Sequence, residues 1–287
     1  MKLPKSLLEC EFNNAFFCVS NRKTEIRFTQ PMVTIEREKL AQWQLSKIEK
    51  NRIKIETGVR VVEIGAGWIK TNSNKKIRFC YLIGADGAAS IVRRSLKIPS
   101  KNISIALQYL IPNTSFCRLE TYFNSKLFRS GYAWIFPHKN YTSVGCVCGS
   151  KYLSSKDLQK NFHIWLKRKE IDFSRGERQA FPINVDYRGH QFGNIFLAGD
   201  AAGLASELTG EGILPATISG ETVAELILGE IEIAEKKIKE ILSIHNFHKK
   251  TVNFFGKLGY LQGVAFQLTA LLLRHKRIVK IFLEKIY

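Results

Sequence analysis

The sequence predicts a mixed α/β fold in which an antiparallel sheet is inserted between two segments of one strand–turn–helix unit, followed by a helical C-terminus. Three observations predict it. Phe79 to Arg94 and Asn194 to Gly220 each read as an apolar strand, a glycine turn and a helix start. Residues 99–185 between them read mostly as alternating strands. Residues 235–287 read as helical, with Lys and Arg on both sides of an uncharged run.

The elements follow in order. Residues 8–34 read as strand pieces ending at Pro31, and residues 36–50 as a helix. Val61 to Lys70 (VVEIGAGWIK) superficially resembles a dinucleotide fingerprint, but Lys70 holds the last glycine position and Thr71 to Lys76 is turn chemistry. A β-hairpin with Asn72 to Lys75 at its tip and Ile77-Arg78-Phe79 returning fits better. Residues 58–84 thus run as strands into the Asp86-Gly87 turn. Within 99–185 a helix is expected near 155–169. Three units result: residues 1–98 with 186–234, residues 99–185, and residues 235–287.

The chemistry concentrates in Asn194 to Gly220 (NIFLAGDAAGLASELTGEGILPATISG). Asn194 to Ala198 suits a buried parallel strand. Gly199 and Asp200 break it, and Ala201, Ala202, Gly203 and Ala205 leave the backbone open to close approach. Thr209-Gly210-Glu211-Gly212 opens a helix that runs on through Ile213. A carboxylate at a strand end beside a helix N-terminus suits a polyhydroxylated, partly anionic ligand, because the carboxylate accepts hydroxyl protons and the helix end faces negative charge.

These residues resemble the second FAD-binding motif of the geranylgeranyl reductase family, within the FAD-dependent reductases and aromatic hydroxylases. Ala85-Asp86-Gly87 through Arg94 is similar to a second segment of those flavoproteins, and Tyr132-Ala133-Trp134-Ile135-Phe136-Pro137 is similar to their Tyr-x-Trp-x-Phe-Pro motif. Val33 to Trp43 resembles a strand-to-helix step carrying a cofactor-reaching arginine, here Arg37. The resemblance implies an FAD/NAD(P)-binding flavoprotein fold with a substrate-side sheet, and cofactor contacts from Arg37, Asp86, Gly87, Gly199, Asp200, Gly210, Gly212 and Ile213. It also implies a substrate channel walled by Tyr132, Trp134 and Phe136. Alternation puts those three aromatics on one strand face, which serves equally as a core face of a half-buried sheet.

The resemblance further implies a reductase of isoprenoid or lipid carbon–carbon double bonds, fed by NAD(P)H or a ferredoxin-type donor. Alternatives are a flavin-dependent monooxygenase or halogenase, an inactive remnant, or one half of a split flavoprotein. Residues 1–35 lack the Gly-x-Gly-x-x-Gly βαβ unit with which such proteins begin. Without the contacts of that unit, FAD affinity falls by an amount on the order of several kcal/mol. Weak or absent FAD binding is therefore expected of this chain alone, and a separate chain carrying the fingerprint is a candidate partner. Two departures from the family stand inside the main motif: Glu207, expected to add negative charge beside the flavin, and Pro215, tolerable only if the helix starts late.

The formal net charge is +19. It calls for an acidic partner or surface. No helix-turn-helix, zinc-finger or ribonucleoprotein signature is present, which argues against nucleic acid. Leu258 to Leu273 is uncharged between basic flanks, a pattern that suits either a helix on an anionic membrane surface or one packed on the protein's own core. Met1-Lys2-Leu3-Pro4-Lys5 starts no apolar signal region, so a cytoplasmic protein, peripheral at the membrane, is expected. Six cysteines in a chain this long are not a disulfide framework, and Cys146 and Cys148 share a strand face as free thiols. His245 and His248 lie at helical spacing without an acidic or cysteine partner, so no metal is expected.

Overall fold

The structure is a computed structural model describing residues 3–49, 51–112 and 114–286. In chain order the first elements are β1 (Leu8–Val19), β2 (Arg22–Ile35), α1 (Arg37–Ser46), β3 (Val61–Gly65), β4 (Trp68–Thr71), β5 (Lys76–Arg78), β6 (Leu82–Gly84) and α2 (Ile91–Ser95). The inserted region holds β7 (Ile103–Pro112), β8 (Leu119–Phe123), α3 (Ser125–Phe128), β9 (Tyr132–Pro137), β10 (Tyr141–Gly149), α4 (Ser155–Arg168) and β11 (Glu177–Asn184). The chain returns through β12 (Gln191–Phe192), β13 (Ile195–Leu197), α5 (Gly199–Ala202) and α6 (Ile213–Leu228), and closes with α7 (Ile231–Lys257), α8 (Gln262–Leu272) and α9 (Lys276–Ile286).

A seven-stranded sheet in the order β11-β7-β10-β9-β8-β1-β2 forms the larger layer. Its strands from β11 to β8 are antiparallel neighbours, as the alternation of residues 99–185 predicts. Residues 8–35, assigned from sequence to the other part, belong to this sheet: β1 runs parallel to β8, pairing Ala15 with Leu119 through Val19 with Phe123. Their apolar side chains, Phe17, Val19 and Ile26, are buried against the C-terminal helices, and that burial draws the hairpin to this layer. β2 also runs past Pro31. The proline is accommodated because the pairing with β1 slips between Phe12–Met32 and Asn14–Arg27, leaving it in an irregularity on an edge strand.

On one face of the large sheet, Leu107, Tyr109, Ala133, Ile135, Val144 and Cys146 bury against α4. That helix is strongly amphipathic, with Leu158, Phe162, Trp165 and Leu166 all buried, each worth about 1.5–3 kcal/mol of burial. Ser154 caps it by accepting the Asp157 N–H at 3.1 Å. Cys146 and Cys148 are buried free thiols, and burial pushes the Cys148 thiol up to about 12 and Cys146 well above its ordinary value.

Two small sheets complete the other layer. β3, β4 and β5 form an antiparallel meander in which Trp68 pairs with Gly65 and with Arg78, so Gly65-Ala66-Gly67 is a turn between strands and no dinucleotide loop. β12, β13 and β6 form the second, with β6 and β13 parallel in the register Leu82–Ile195, Ile83–Phe196 and Gly84–Leu197. Both strand–turn–helix steps therefore lie side by side. Arg93 ties them to the large sheet. It is buried in α2 and donates to the carbonyls of Ala201 at 3.1 Å, Pro99 at 2.8 Å and Asp186 at 2.6 Å.

Candidate functional site

Asp200 is the second residue of α5, directly beyond the end of β13. Gly199 before it has φ +56°, and a Cβ there would stand 2.9 Å from the Ala216 Cβ. Only glycine allows both this backbone and that approach of α6. The Gly199 N–H donates to Ser219 Oγ at 2.9 Å, which fixes α6 over the turn. Gly212 N-caps α6, and a Cβ on it would lie 3.0 Å from Asp200 Oδ1. The carboxylate thus stands at the mouth of a helix.

Burial raises the Asp200 pKa, while the Arg37 guanidinium and the Asn184 backbone act in the opposite sense. Arg37 is the exposed first residue of α1, so the strand-to-helix step at residues 33–43 delivers its positive charge to the same carboxylate. Glu211 is a second carboxyl here that sequence reasoning missed. Burial raises its pKa, its bond to the Leu214 N–H lowers it, and the Asp200 charge raises it further. Glu211 Oε1 accepts that N–H at 2.7 Å. Its place three residues before Leu214 is the spacing that marks a helix cap.

The helix begins at Ile213, later than the Thr209 start read from sequence. Residues 206–211 close on themselves first: Ser206 N–H donates to the Glu211 carbonyl at 2.8 Å and Gly210 N–H to the Ser206 carbonyl at 3.0 Å. Pro215 then falls in the first turn, where its missing N–H costs no intrahelical bond. Ser206 Oγ accepts the Thr209 N–H at 2.9 Å and lies 2.8 Å from Nδ1 of His248, a buried α7 residue that braces the loop from behind. Among the described residues no His, Cys, Asp and Glu group is fit to hold a metal.

Glu207 corrects an expectation. Its carboxylate pairs with Lys151 Nζ at 2.8 Å, on the side of Gly149, so its charge is compensated there. Asp86 lies in an exposed turn with Gly87, where its Oδ2 accepts the Ile91 N–H at 2.7 Å and the Val92 N–H at 3.4 Å at the start of α2.

The aromatic stripe of β9 faces away from α4, since Ala133 and Ile135 fill that side. Tyr132 and Trp134 form a separate cluster with Val147, joined by Phe136, Phe123 and Ile183. The Trp134 and Phe136 rings stack at 6.0 Å, Tyr132 and Trp134 lie 6.1 Å apart, and Trp134 Nε1 donates to Ser143 Oγ at 2.9 Å. The Tyr132 hydroxyl donates to the Thr209 carbonyl. One end of an apolar aromatic face is thereby fastened to the loop that enters α6.

A half-buried, partly countercharged carboxylate at the end of a parallel strand, beside the mouth of a helix entered through glycines, defines a cofactor-binding flavoprotein fold. The donor set fits FAD: Asp200 for ribityl hydroxyls, the α6 entry for the electron-rich ring edge, and Arg37 for negative charge. The chain belongs to the FAD binding domain family, whose model matches residues 66–214. It is 28% identical over 232 residues to an uncharacterized protein of Methanosarcina barkeri, covering 77% of this chain and 57% of that one. It is 27% identical to the geranylgeranyl diphosphate reductase of Rhodobacter capsulatus, covering 54% of this chain and 41% of the relative. The chain thus spans about half the length of the curated relatives it matches. A geranylgeranyl bacteriochlorophyll reductase-like protein from Thermoplasma acidophilum shares the fold, with TM-score 0.69, 18% identity, and coverage of 99% of this chain and 85% of that one.

Proposed function

We propose that this chain is the flavin-side part of an FAD-dependent oxidoreductase that saturates carbon–carbon double bonds of an isoprenoid or lipid. The observation that carries the reading is the Tyr132–Thr209 hydrogen bond, which sets the aromatic face of β9 against the helix entry beside Asp200. A long apolar chain lying on Tyr132, Trp134 and Phe136 would reach the cofactor without meeting a charge. The names of the matched reductases support the same substrate class.

When bound, reduced FAD would supply the hydride to one carbon of the double bond, and the other carbon would take a proton. Asp200 would hold ribityl hydroxyls, Arg37 would offset part of the burial that raises the Asp200 pKa, and the α6 N-terminus would stabilise negative charge on the flavin ring. The aromatic stripe orients the substrate and excludes water. These 287 residues contain no Gly-x-Gly-x-x-Gly unit to hold the adenosine side of the cofactor, so weak FAD binding by the chain as given is expected.

The test has two stages. FAD titration of the purified chain is followed by the flavin spectrum, with and without a polypeptide carrying a Gly-x-Gly-x-x-Gly unit. The reconstituted, reduced protein is then given a polyprenyl substrate without oxygen. Mass spectrometry should show added hydrogen at the double bonds. A hydroxylated product that appears only with oxygen uptake would identify a monooxygenase instead.

A further inference from the structure

We propose that the outer face of α8, with the basic segment around it, is a docking surface for an anionic lipid bilayer, on which the protein rests without crossing it. This goes beyond the proposed reaction and does not depend on it.

The helix α8 is apolar on two opposite sides. Gln262, Phe266 and Ala270 point inward and are buried, followed by Leu273 beyond the helix end. Phe266 and Ala270 pack with Phe17, Val19 and Ile26 of the β1–β2 hairpin, and Thr24 Oγ1 donates to the Ala270 carbonyl at 3.0 Å. This side anchors the helix to the protein's own core. The opposite arc remains in solvent. Leu261, Val264, Leu268 and Leu272 are each at least half exposed, at 50%, 54%, 55% and 51%, and Tyr260 at the head of the helix is 93% exposed. A helix needing only one apolar face for its own core carries a second with nothing on it.

Charge identifies the occupant. Between Glu240 and Glu284 there is no acidic residue, and seven Lys and Arg stand in the same stretch, among them Lys250, Lys257, Arg274 and Arg277. The earlier part of α7 is mixed, with Glu232, Glu235 and Glu240 among its lysines. Within the C-terminal helices, positive charge is therefore unopposed only in the segment that also bears the exposed apolar arc. Apolar side chains flanked along the chain by cations, with an exposed tyrosine at the head of the helix, match an interface of hydrocarbon and anionic headgroups. No helix among the described residues is long and apolar enough to cross a membrane. The surface connects inward as well. The Phe266 ring lies 5.3 Å from Phe123, which lies 5.6 Å from Tyr132, so the docking helix and the aromatic stripe share one packed row.

The test is flotation of the full chain, without cofactor or substrate, with vesicles of phosphatidylcholine alone or mixed equally with phosphatidylglycerol. The wild-type chain should float with the mixed vesicles and much less with the neutral ones. Leu268→Glu should abolish flotation. Lys257→Gln and Arg274→Gln should each lower the partition into mixed vesicles by about five-fold. Leu268→Gln, with circular dichroism melting of every variant, separates loss of docking from loss of fold. Equal flotation of the wild type and Leu268→Glu, or no flotation of a folded wild type, overturns the proposal. So does a dimer that Leu268→Glu splits into monomers without any vesicle binding, since a second copy would then cover the face. These readouts use neither flavin nor turnover, so their failure is distinct from failure of the proposed reaction.

Discussion

The turns after β6 and β13 are written alike and end differently. Each is a short apolar strand, then an aspartate beside a glycine, then small residues and a helix, and the two strands pair in parallel. After β6 the carboxylate is exposed and occupied with the first amides of the five-residue helix α2. After β13 the carboxylate is half-buried, faces Arg37 from a remote helix, and stands at the entry of the sixteen-residue helix α6. Local pattern sets where an aspartate sits at a strand end. What packs over that end decides whether the aspartate turns to the amides of its own helix or faces the entry of another.

The sharpest way to break this comparison is at the packed turn. Gly199→Val forces a Cβ against Ala216 in a left-handed backbone, and should cost about 3 kcal/mol of stability in a thermal melt. Exchanging the two carboxylates' fates comes next. Asp200→Asn should weaken FAD binding by about 2 kcal/mol, roughly thirty-fold, as a charged hydrogen-bond acceptor is lost. Asp86→Asn should leave the affinity unchanged. Equal losses in a flavin-fluorescence titration would erase the distinction between the two turns.

The half-buried Asp200 also has a pH signature. Because its folded pKa is raised above the ordinary 3.8, the folded state binds the proton more tightly than the unfolded chain. Cofactor-free stability should therefore fall as pH rises from 3.8 through the raised folded value, and Asp200→Asn should flatten that slope and raise the neutral-pH melting temperature. Glu211, shifted in the same direction, keeps part of the slope. Lys151→Met leaves Glu207 buried without its cation, and should cost on the order of 2 kcal/mol, reduced from a fully buried pair because Lys151 is partly solvated. The smallest effect is at the first turn. Asp86→Ala removes a helix cap worth about 1 kcal/mol, with Ser90 still accepting the Arg93 N–H. Urea denaturation at neutral pH measures both.

The two turns, the hairpin with Asn72 at its tip and the alternation of β9 were legible in the sequence because each depends on residues close in the chain. Glycine, aspartate and the period of two act locally. The parallel pairing of β1 with β8 was not legible, since nothing in Leu8–Val19 distinguishes one apolar neighbour from another until the C-terminal helices cover it. The partner of Glu207 was hidden for the same reason: Lys151 is close only after β10 has been laid beside β9. Glu211 was within reach of a reading that tested for a cap three residues ahead of Leu214. Its electrostatic tie to Asp200 required the fold.

Strand β9 presents Ala133 and Ile135 to α4 and, one residue out of step, Tyr132, Trp134 and Phe136 to the opposite side, where Tyr132 meets the loop before α6. A slip of a single residue against β10 would exchange those faces, crowding three rings onto α4 and baring the wall beside Asp200. The ladder from Thr142–Pro137 to Val147–Tyr132 thus acts as an alignment gauge for the whole molecule. A misregistered protein would lose its core and its chemistry in the same event, and no half-working species would persist between them.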